Sequence, residues 1–376
     1  MRYVLKQYDN FLLKFSMERL ELDKVQYSVD WINEEYRYLL PIGMTPDAEG
    51  IKKWLSERTI PKNREYVDRI LAQSGLSYGD TMGIINLCKG LSLNDSYWVV
   101  EEGFDGKFDD YNLYRNNFTR TLALIAYTGY GSNTKRGFTS SPEYTTNGML
   151  RKCWRRISGK IYLYKGGTSG AANTGKEPYS EYYAAQIAAA MGIDHVDYGL
   201  AMWHDSLCST CELFTDINTS YVPMHKFLPQ GGLRETADYL KGLGDDYYDA
   251  FVDMLVFDAL VYNTDRHYGN FGLLVDNRTN QPIRFAPLFD HGLSLFNYAM
   301  DDDIENLPAY AKTRSSAFNA SYEEIVKAFI TPKQKARLRH IINFKFKKHP
   351  RYNLSNTRLQ AIEKFLQTRV QELLSL

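Results

Sequence analysis

Apolar and polar residues alternate near the start of the chain. Phe11, Leu13, Phe15 and Met17 fall on one side of an extended backbone and Leu12, Lys14, Ser16 and Glu18 on the other, the period of a half-buried strand. Val25, Tyr27 and Val29 repeat it, so a small antiparallel sheet is expected. From Asp47 the pattern turns helical, with helices expected near 48–57, 62–73 and 78–88, separated by Pro61 and Gly75. The segment 91–98 reads as a turn into a short strand, and nothing in this N-terminal third carries chemistry.

The segment 129–142, rich in Gly, Ser, Thr and Asn, breaks the periodicity and reads as a linker or mobile loop at a domain boundary. Strand-like runs follow at 144–146, 151–157 and 160–164, with Gly148 in the first turn and Ser158-Gly159 in the second. A helix is expected over 181–191, stopped by Gly192. Beyond Leu228 the pattern is mostly helical.

The chemistry concentrates in 257–275. An apolar helix runs into a polar loop that holds Asn263, Asp265, Arg266, His267 and Asn270, and an apolar strand leads out. Polar loops pinned between apolar elements are where catalysis usually sits. A second strand at 283–285 then delivers Asp290 within Asp-His-Gly. Phosphoryl transfer asks a protein for a carboxylate to orient the attacking hydroxyl, oxygen ligands for magnesium and a lysine on the phosphates. Asp265, then Asn270, then a strand-flanked Asp290 is the kinase spacing of base, metal ligand and metal ligand. Magnesium takes few protein oxygens, which suits Asn270 and Asp290. His267 reads as a buried supporting histidine that holds the loop by hydrogen bonds.

At these residues the chain resembles the HipA-like serine/threonine kinases, whose catalytic loop reads Asp-x-His-x-x-Asn. Asp265, His267 and Asn270 match it, and Asp290 matches the metal aspartate, with His291 where most eukaryotic kinases have Phe. Arg266 and His267 follow the Asp instead of preceding it, which sets the chain apart from eukaryotic protein kinases. Phosphoinositide kinases share the Asp-Arg-His-x-x-Asn order and are the rival reading, beside a catalytically weak kinase-fold binding module. The resemblance covers about 143–300. It implies that Lys165 is the nucleotide lysine, with Lys152 and Lys160 as competitors. Glu181, with Glu177 as its alternative, would brace it. It implies too that Asn147, Gly148 and Met149 form the loop over the phosphates, and that 211–216 and 221–224 lie at the adenine hinge.

The fold class implied is α+β: a two-lobed protein-kinase-like fold, β-rich small lobe at 131–228 and helical large lobe at 229–376, after an N-terminal α+β domain at 1–130. The cofactors implied are ATP and Mg2+, and the acceptor a serine or threonine of a protein. Autophosphorylation of Ser140 or Ser141, toxin-like action and a small antitoxin partner also follow only from the resemblance.

Charge and composition narrow the partners. The 45 basic and 45 acidic side chains cancel, so no global field draws the chain to nucleic acid or membrane. The basic run 333–348 reads as a solvated helix face, and Asp301, Asp302 and Asp303 as a surface loop. Apolar stretches fall short of the roughly 20 residues of a membrane span, and no secretory signal is visible, so a cytoplasmic location is expected. The 4 cysteines give no disulfide framework. Cys208 and Cys211, with His204 and His225 nearby, read as thiols in preference to a zinc site.

Overall fold

The computed structural model describes residues 1–20, 25–131 and 141–376. They divide into two compact units: Met1–Leu163 with Thr215–Val222 and Leu274–Ile283, and Tyr164–Phe214 with Pro223–Leu273 and Arg284–Leu376. These divisions do not coincide with the boundaries expected after 130 and 228. Most of the expected linker, Ser140 included, lies outside the described residues.

In the first unit, β1 (Arg2–Gln7), β2 (Asn10–Arg19) and β3 (Val25–Ile32) pair antiparallel. The helices α1 (Ala48–Ser56), α2 (Val67–Ala72) and α3 (Thr81–Cys88) follow. The strand β4 (Tyr97–Glu101) then joins the sheet, in the order β3-β2-β1-β4. The β1–β2 register slips between Leu5, opposite Leu13, and Lys6, opposite Phe11, so Leu12 is the extra residue of a bulge. A bulge resets the alternation. Leu12 and Leu13 are both fully buried, whereas Phe11 is 44% exposed, with the Lys6 ammonium 4.5 Å from its ring centroid. Tyr3, Leu5, Phe15 and Met17 pack with Ile51, Trp54 and Leu55 of α1 as the core.

The helix expected over 62–73 starts only at Val67, because Tyr66 takes a left-handed conformation at φ 62°. Two helices follow, α4 (Phe108–Tyr111) and α5 (Arg120–Thr128), the latter ending at Gly129 with φ 74°. The strand expected at 144–146 is instead a 3-10 turn at Pro142–Tyr144. Pro142 suits a first helical position, and the Ser141 hydroxyl caps the Glu143 N–H at 3.5 Å. The hairpin β5 (Lys152–Ile157) and β6 (Lys160–Gly166) turns at Ser158 and Gly159, as the pattern indicates.

The chain continues through α6 (Glu177–Met191), β7 (Gly199–Trp203), β8 (Ser206–Glu212), β9 (Thr219–Pro223), α7 (Met224–Phe227), α8 (Leu233–Leu243) and α9 (Asp245–Val261). Then come β10 (Gly272–Asp276), β11 (Pro282–Phe285), α10 (Asp301–Glu305), α11 (Leu307–Ala311), α12 (Tyr322–Phe329), α13 (Pro332–Arg339) and α14 (Asn356–Ser375). In the second unit the end of β6 pairs with β8, and β8 pairs antiparallel with β7. The core is α9, buried on every side from Phe251 to Val261, as a helix apolar all round must be. α6 opens four residues before the expected start, since Pro178 fits its first turn.

Asp301, Asp302 and Asp303 form the first turn of α10, where the helix dipole favours acids, and not a loop. The basic run is largely α13, and it is paired: Lys333 with Asp249 at 2.7 Å and Arg337 with Asp253 at 3.1 Å. Among the described residues no helix is long and apolar enough to cross a membrane.

One buried ion pair in the first unit has a pH signature. Glu143 and Arg64 are both buried, with 3.5 Å between Oε2 and Nη2. Burial outweighs the guanidinium and pushes the Glu143 carboxyl up to about 7. The folded chain therefore binds a proton there that the unfolded chain has released, between about pH 4.3, the ordinary glutamate value, and about pH 7. This contribution should lower stability as pH rises through that window, by at most about 1.4 kcal/mol per unit. Urea titrations across the window should show the slope in the wild type and its loss in Glu143→Gln.

Candidate active site

The last turn of α9 carries Asp258, and the helix stops at Tyr262, left-handed at φ 52°. The loop that follows is held by its own side chains. Asn263 Oδ1 accepts the Asp265 N–H at 3.2 Å, and Asn270 donates its amide to the Asp265 carbonyl at 2.9 Å. His267 Nδ1 accepts the Gly269 N–H at 3.0 Å, so it supports the loop as expected. Its side chain is exposed, though, not buried, since its Nδ1 meets a backbone N–H two residues on and no buried group.

Beneath the loop lies Arg266, 1% exposed. Its Nε and Nη2 meet the two Asp258 oxygens at 2.8 and 3.2 Å. Its Nη1 donates to the carbonyls of Asn270 at 2.8 Å and Phe289 at 2.7 Å. Nη2 also lies 3.2 Å from His291 Nδ1. One side chain thus fixes the helix end, the end of the loop 263–270 and both neighbours of Asp290. Burial first, and the Arg266 charge second, hold the His291 imidazole well below its ordinary pKa. It is therefore neutral and can accept at Nδ1.

Asp290 itself is left-handed, at φ 58°. Its backbone N–H donates to the Tyr198 hydroxyl at 3.1 Å, and its carboxylate pairs with the Lys165 ammonium. Lys165 comes from β6 and meets Glu181 Oε1 of α6 at 2.7 Å. Glu181 is fully buried, and its other oxygen accepts the His291 N–H at 3.1 Å. Burial would lower the Lys165 pKa, but the Asp290 and Glu181 carboxylates together raise it above the ordinary lysine value, so it stays charged. Burial, and then the Asp290 charge, raise the Asp265 carboxyl, against His267, Lys165 and Arg266. Lys165, Glu181, Asp265, Asn270 and Asp290 thus belong to one unit and one electrostatic neighbourhood.

The alternatives have other partners. Glu177 accepts from Thr168 and from the Tyr298 hydroxyl, and Lys152 Nζ donates to the Asn147 carbonyl at 2.8 Å. Asn147, Gly148 and Met149 lie in the first unit, with Gly148 at φ 91° and Met149 61% exposed. Ser141 is buried. Cys208 is buried, and burial pushes the Cys211 thiol up to about 12, with the Glu181 charge adding to it. Among the described residues no group of three or more His, Cys, Asp or Glu is placed to hold a metal. The one carboxylate and one amide oxygen offered by Asp290 and Asn270 are a donor set of the hard, sparse kind that magnesium accepts.

Asp258 and Tyr198 are residues of the site that the sequence pattern did not single out, and Arg266 is one whose anchoring contacts it did not show. Asp258 had a signal, an acid inside the apolar run of α9.

The fold is mixed α+β and similar to that of HipA kinase. Over all of this chain and 99% of the other, it matches HipA from Shewanella oneidensis, solved with HipB and operator DNA, at TM-score 0.56 and 12% identity. In sequence the chain resembles the serine/threonine-protein kinase CtkA of Helicobacter pylori, at 27% identity over 137 residues, 33% of this chain. The chain spans 42% of the length of that curated relative. The crystal structure of CtkA aligns with 60% of this chain and 90% of its own, at TM-score 0.43 and 18% identity. No family model matches. In sequence and fold together, the chain resembles the HipA-like serine/threonine kinases.

Breaking a buried pair by removing one partner costs about 3–5 kcal/mol, because the other charge is stranded. Arg266→Met should lose that much in urea unfolding. Arg266→Met combined with Asp258→Leu should lose clearly less.

Proposed function

We propose that the chain is an ATP- and magnesium-dependent serine/threonine kinase, transferring the γ-phosphoryl group in line to a protein hydroxyl. The observation that carries this reading is the ion-paired cluster of Lys165, Glu181 and Asp290, with Asp265 close enough to feel the Asp290 charge. A charged lysine braced by one buried acid beside a second, more exposed acid is the equipment of a phosphate-binding site.

In this mechanism Asp265 accepts the hydrogen bond of the acceptor hydroxyl, aims its oxygen at the γ-phosphorus and takes its proton as the bond forms. Its raised pKa suits a group that must hold a proton briefly. Lys165 exchanges part of its contact with Asp290 for phosphate oxygens, and Glu181 keeps it aimed. Asn270 and Asp290 would hold magnesium, which when bound would supply positive charge to the phosphate oxygens. Asn147, Gly148 and Met149 are the phosphate loop of this reading, with Gly148 allowing backbone approach. The two-lobed fold belongs to this proposal. So do a small antitoxin partner of the kind HipB is to HipA and a toxin-like role. Autophosphorylation at Ser141 requires that the hydroxyl leave its buried cap.

The chain incubated with γ-labelled ATP, magnesium, protein substrates and phosphoinositide vesicles should label serine or threonine. Asp265→Asn should lower the rate by roughly 10²–10⁴-fold. Chelation should abolish transfer, and added magnesium should restore it. Label on phosphoinositide alone would establish the lipid-kinase reading instead, and transfer unchanged in Asp265→Asn would remove this loop from the chemistry. No transfer at all would leave a binding module.

A further inference from the structure

We propose that Arg64 and Glu65, in the N-terminal part of the chain, are positioning residues that hold segment 146–152 in the shape that receives nucleotide phosphates. The inference rests on reading Asn147, Gly148 and Met149 as the phosphate loop. Arg64 Nη1 donates to the Thr146 carbonyl at 2.9 Å, before the glycine, and Nη2 donates to the Lys152 carbonyl at 2.6 Å, after it. Glu65 takes the positions between, its N–H donating to the Met149 carbonyl at 2.9 Å and its carboxylate accepting the Arg151 N–H at 3.2 Å. Two consecutive residues thus grip backbone groups on both sides of Gly148.

The grip is buried and charged. Arg64 is 2% exposed and faces Glu143. Glu143 in turn accepts the Trp154 N–H at 2.8 Å, and the Trp154 indole donates to the Thr146 hydroxyl at 2.9 Å. At the loop's tip the chain's own nearby side chains contribute the Lys152 ammonium on the Asn147 carbonyl. The glycine is left-handed, a Cβ there would stand 2.2 Å from Lys152 Nζ, and Met149 points much of its surface to solvent. A lysine could answer the Glu143 charge but could not span both carbonyls, since only the planar guanidinium offers paired donors at fixed spacing. Arg64 therefore shapes the loop, beyond neutralising a buried acid.

The test uses the full chain in four forms: wild type, Arg64→Lys, Arg64→Met with Glu143→Gln, and Gly148→Val. For each, affinity for a fluorescent ATP analogue with magnesium, KM for ATP, kcat and thermal unfolding are measured. The double variant removes both charges, so no ion is stranded, and Arg64→Lys serves if it fails to fold. Nucleotide affinity and KM should weaken by roughly tenfold or more in the folded Arg64 variants, the scale on which misplacement of a binding group acts. Loss of packing alone would reduce the folded fraction without this split, so kcat per folded molecule should change little. Wild-type affinity in a folded Arg64 variant, beside weakened affinity in Gly148→Val, overturns the inference and leaves the loop reading standing. Wild-type affinity in Gly148→Val overturns the loop reading and the inference with it.

Discussion

Arg266 is a charge that the interior of the second unit can hold only because Asp258 stands opposite it with both oxygens engaged. The cost of burying a guanidinium is met there, and the remaining donors are free to bind backbone. They are spent on the Asn270 and Phe289 carbonyls, one at the end of the catalytic loop and one just before Asp290. Two segments far apart in sequence are thereby fixed to a single rigid fork on the most buried helix. The backbone at Asn270 and the backbone just before Asp290 are thus tied to the same side chain. The His291 ring belongs to the same economy: kept neutral, it accepts where a protonated imidazole would repel.

The segment after Asp290 is less relaxed. Leu295 and Phe296 are both left-handed, at φ 51° and 57°, a conformation that costs a bulky residue of order 1–2 kcal/mol. The Leu295 N–H is tied to the Val261 carbonyl at 2.8 Å, and buried Arg358 donates to the Phe296 and Ala299 carbonyls. A second guanidinium thus plays beneath this turn the part that Arg266 plays beneath the loop. In both places an arginine does what regular hydrogen-bonded structure does elsewhere, satisfying the carbonyls of irregular chain inside a dry interior.

How far these features are legible in the sequence follows from how local each is. Asp265, His267 and Asn270 lie in one short loop and could be read together, and Asp290 followed from a strand that the alternation marks. Lys165 and Glu181 needed the family resemblance, since the preceding strand offers Lys152, the same strand Lys160 and the same helix Glu177. The Leu12 bulge was not legible, because a two-residue period carries no sign of a skipped partner. Nor was the left-handed Tyr66, which shortens α2, or the 3-10 turn at Pro142–Tyr144, whose Pro was there to be read. The basic run is a largely solvated helix face, as its pattern indicates, but its partners Asp249 and Asp253 were not legible because they sit on α9. Arg266 could be seen as a departure from the usual kinase order, but not as the hub it is.

The left-handed backbone at Asp290 also leaves a mark on what descent can do with this position. A conformation at φ 58° is entered cheaply only by glycine, asparagine and aspartate. A lineage that relinquished the carboxylate while keeping the fold would have few residues to drift toward, whatever the loss of selection on its chemistry. Among descendants of such a chain, Asn or Gly here would be the expected replacement, and a β-branched residue the sign that the turn itself had been rebuilt.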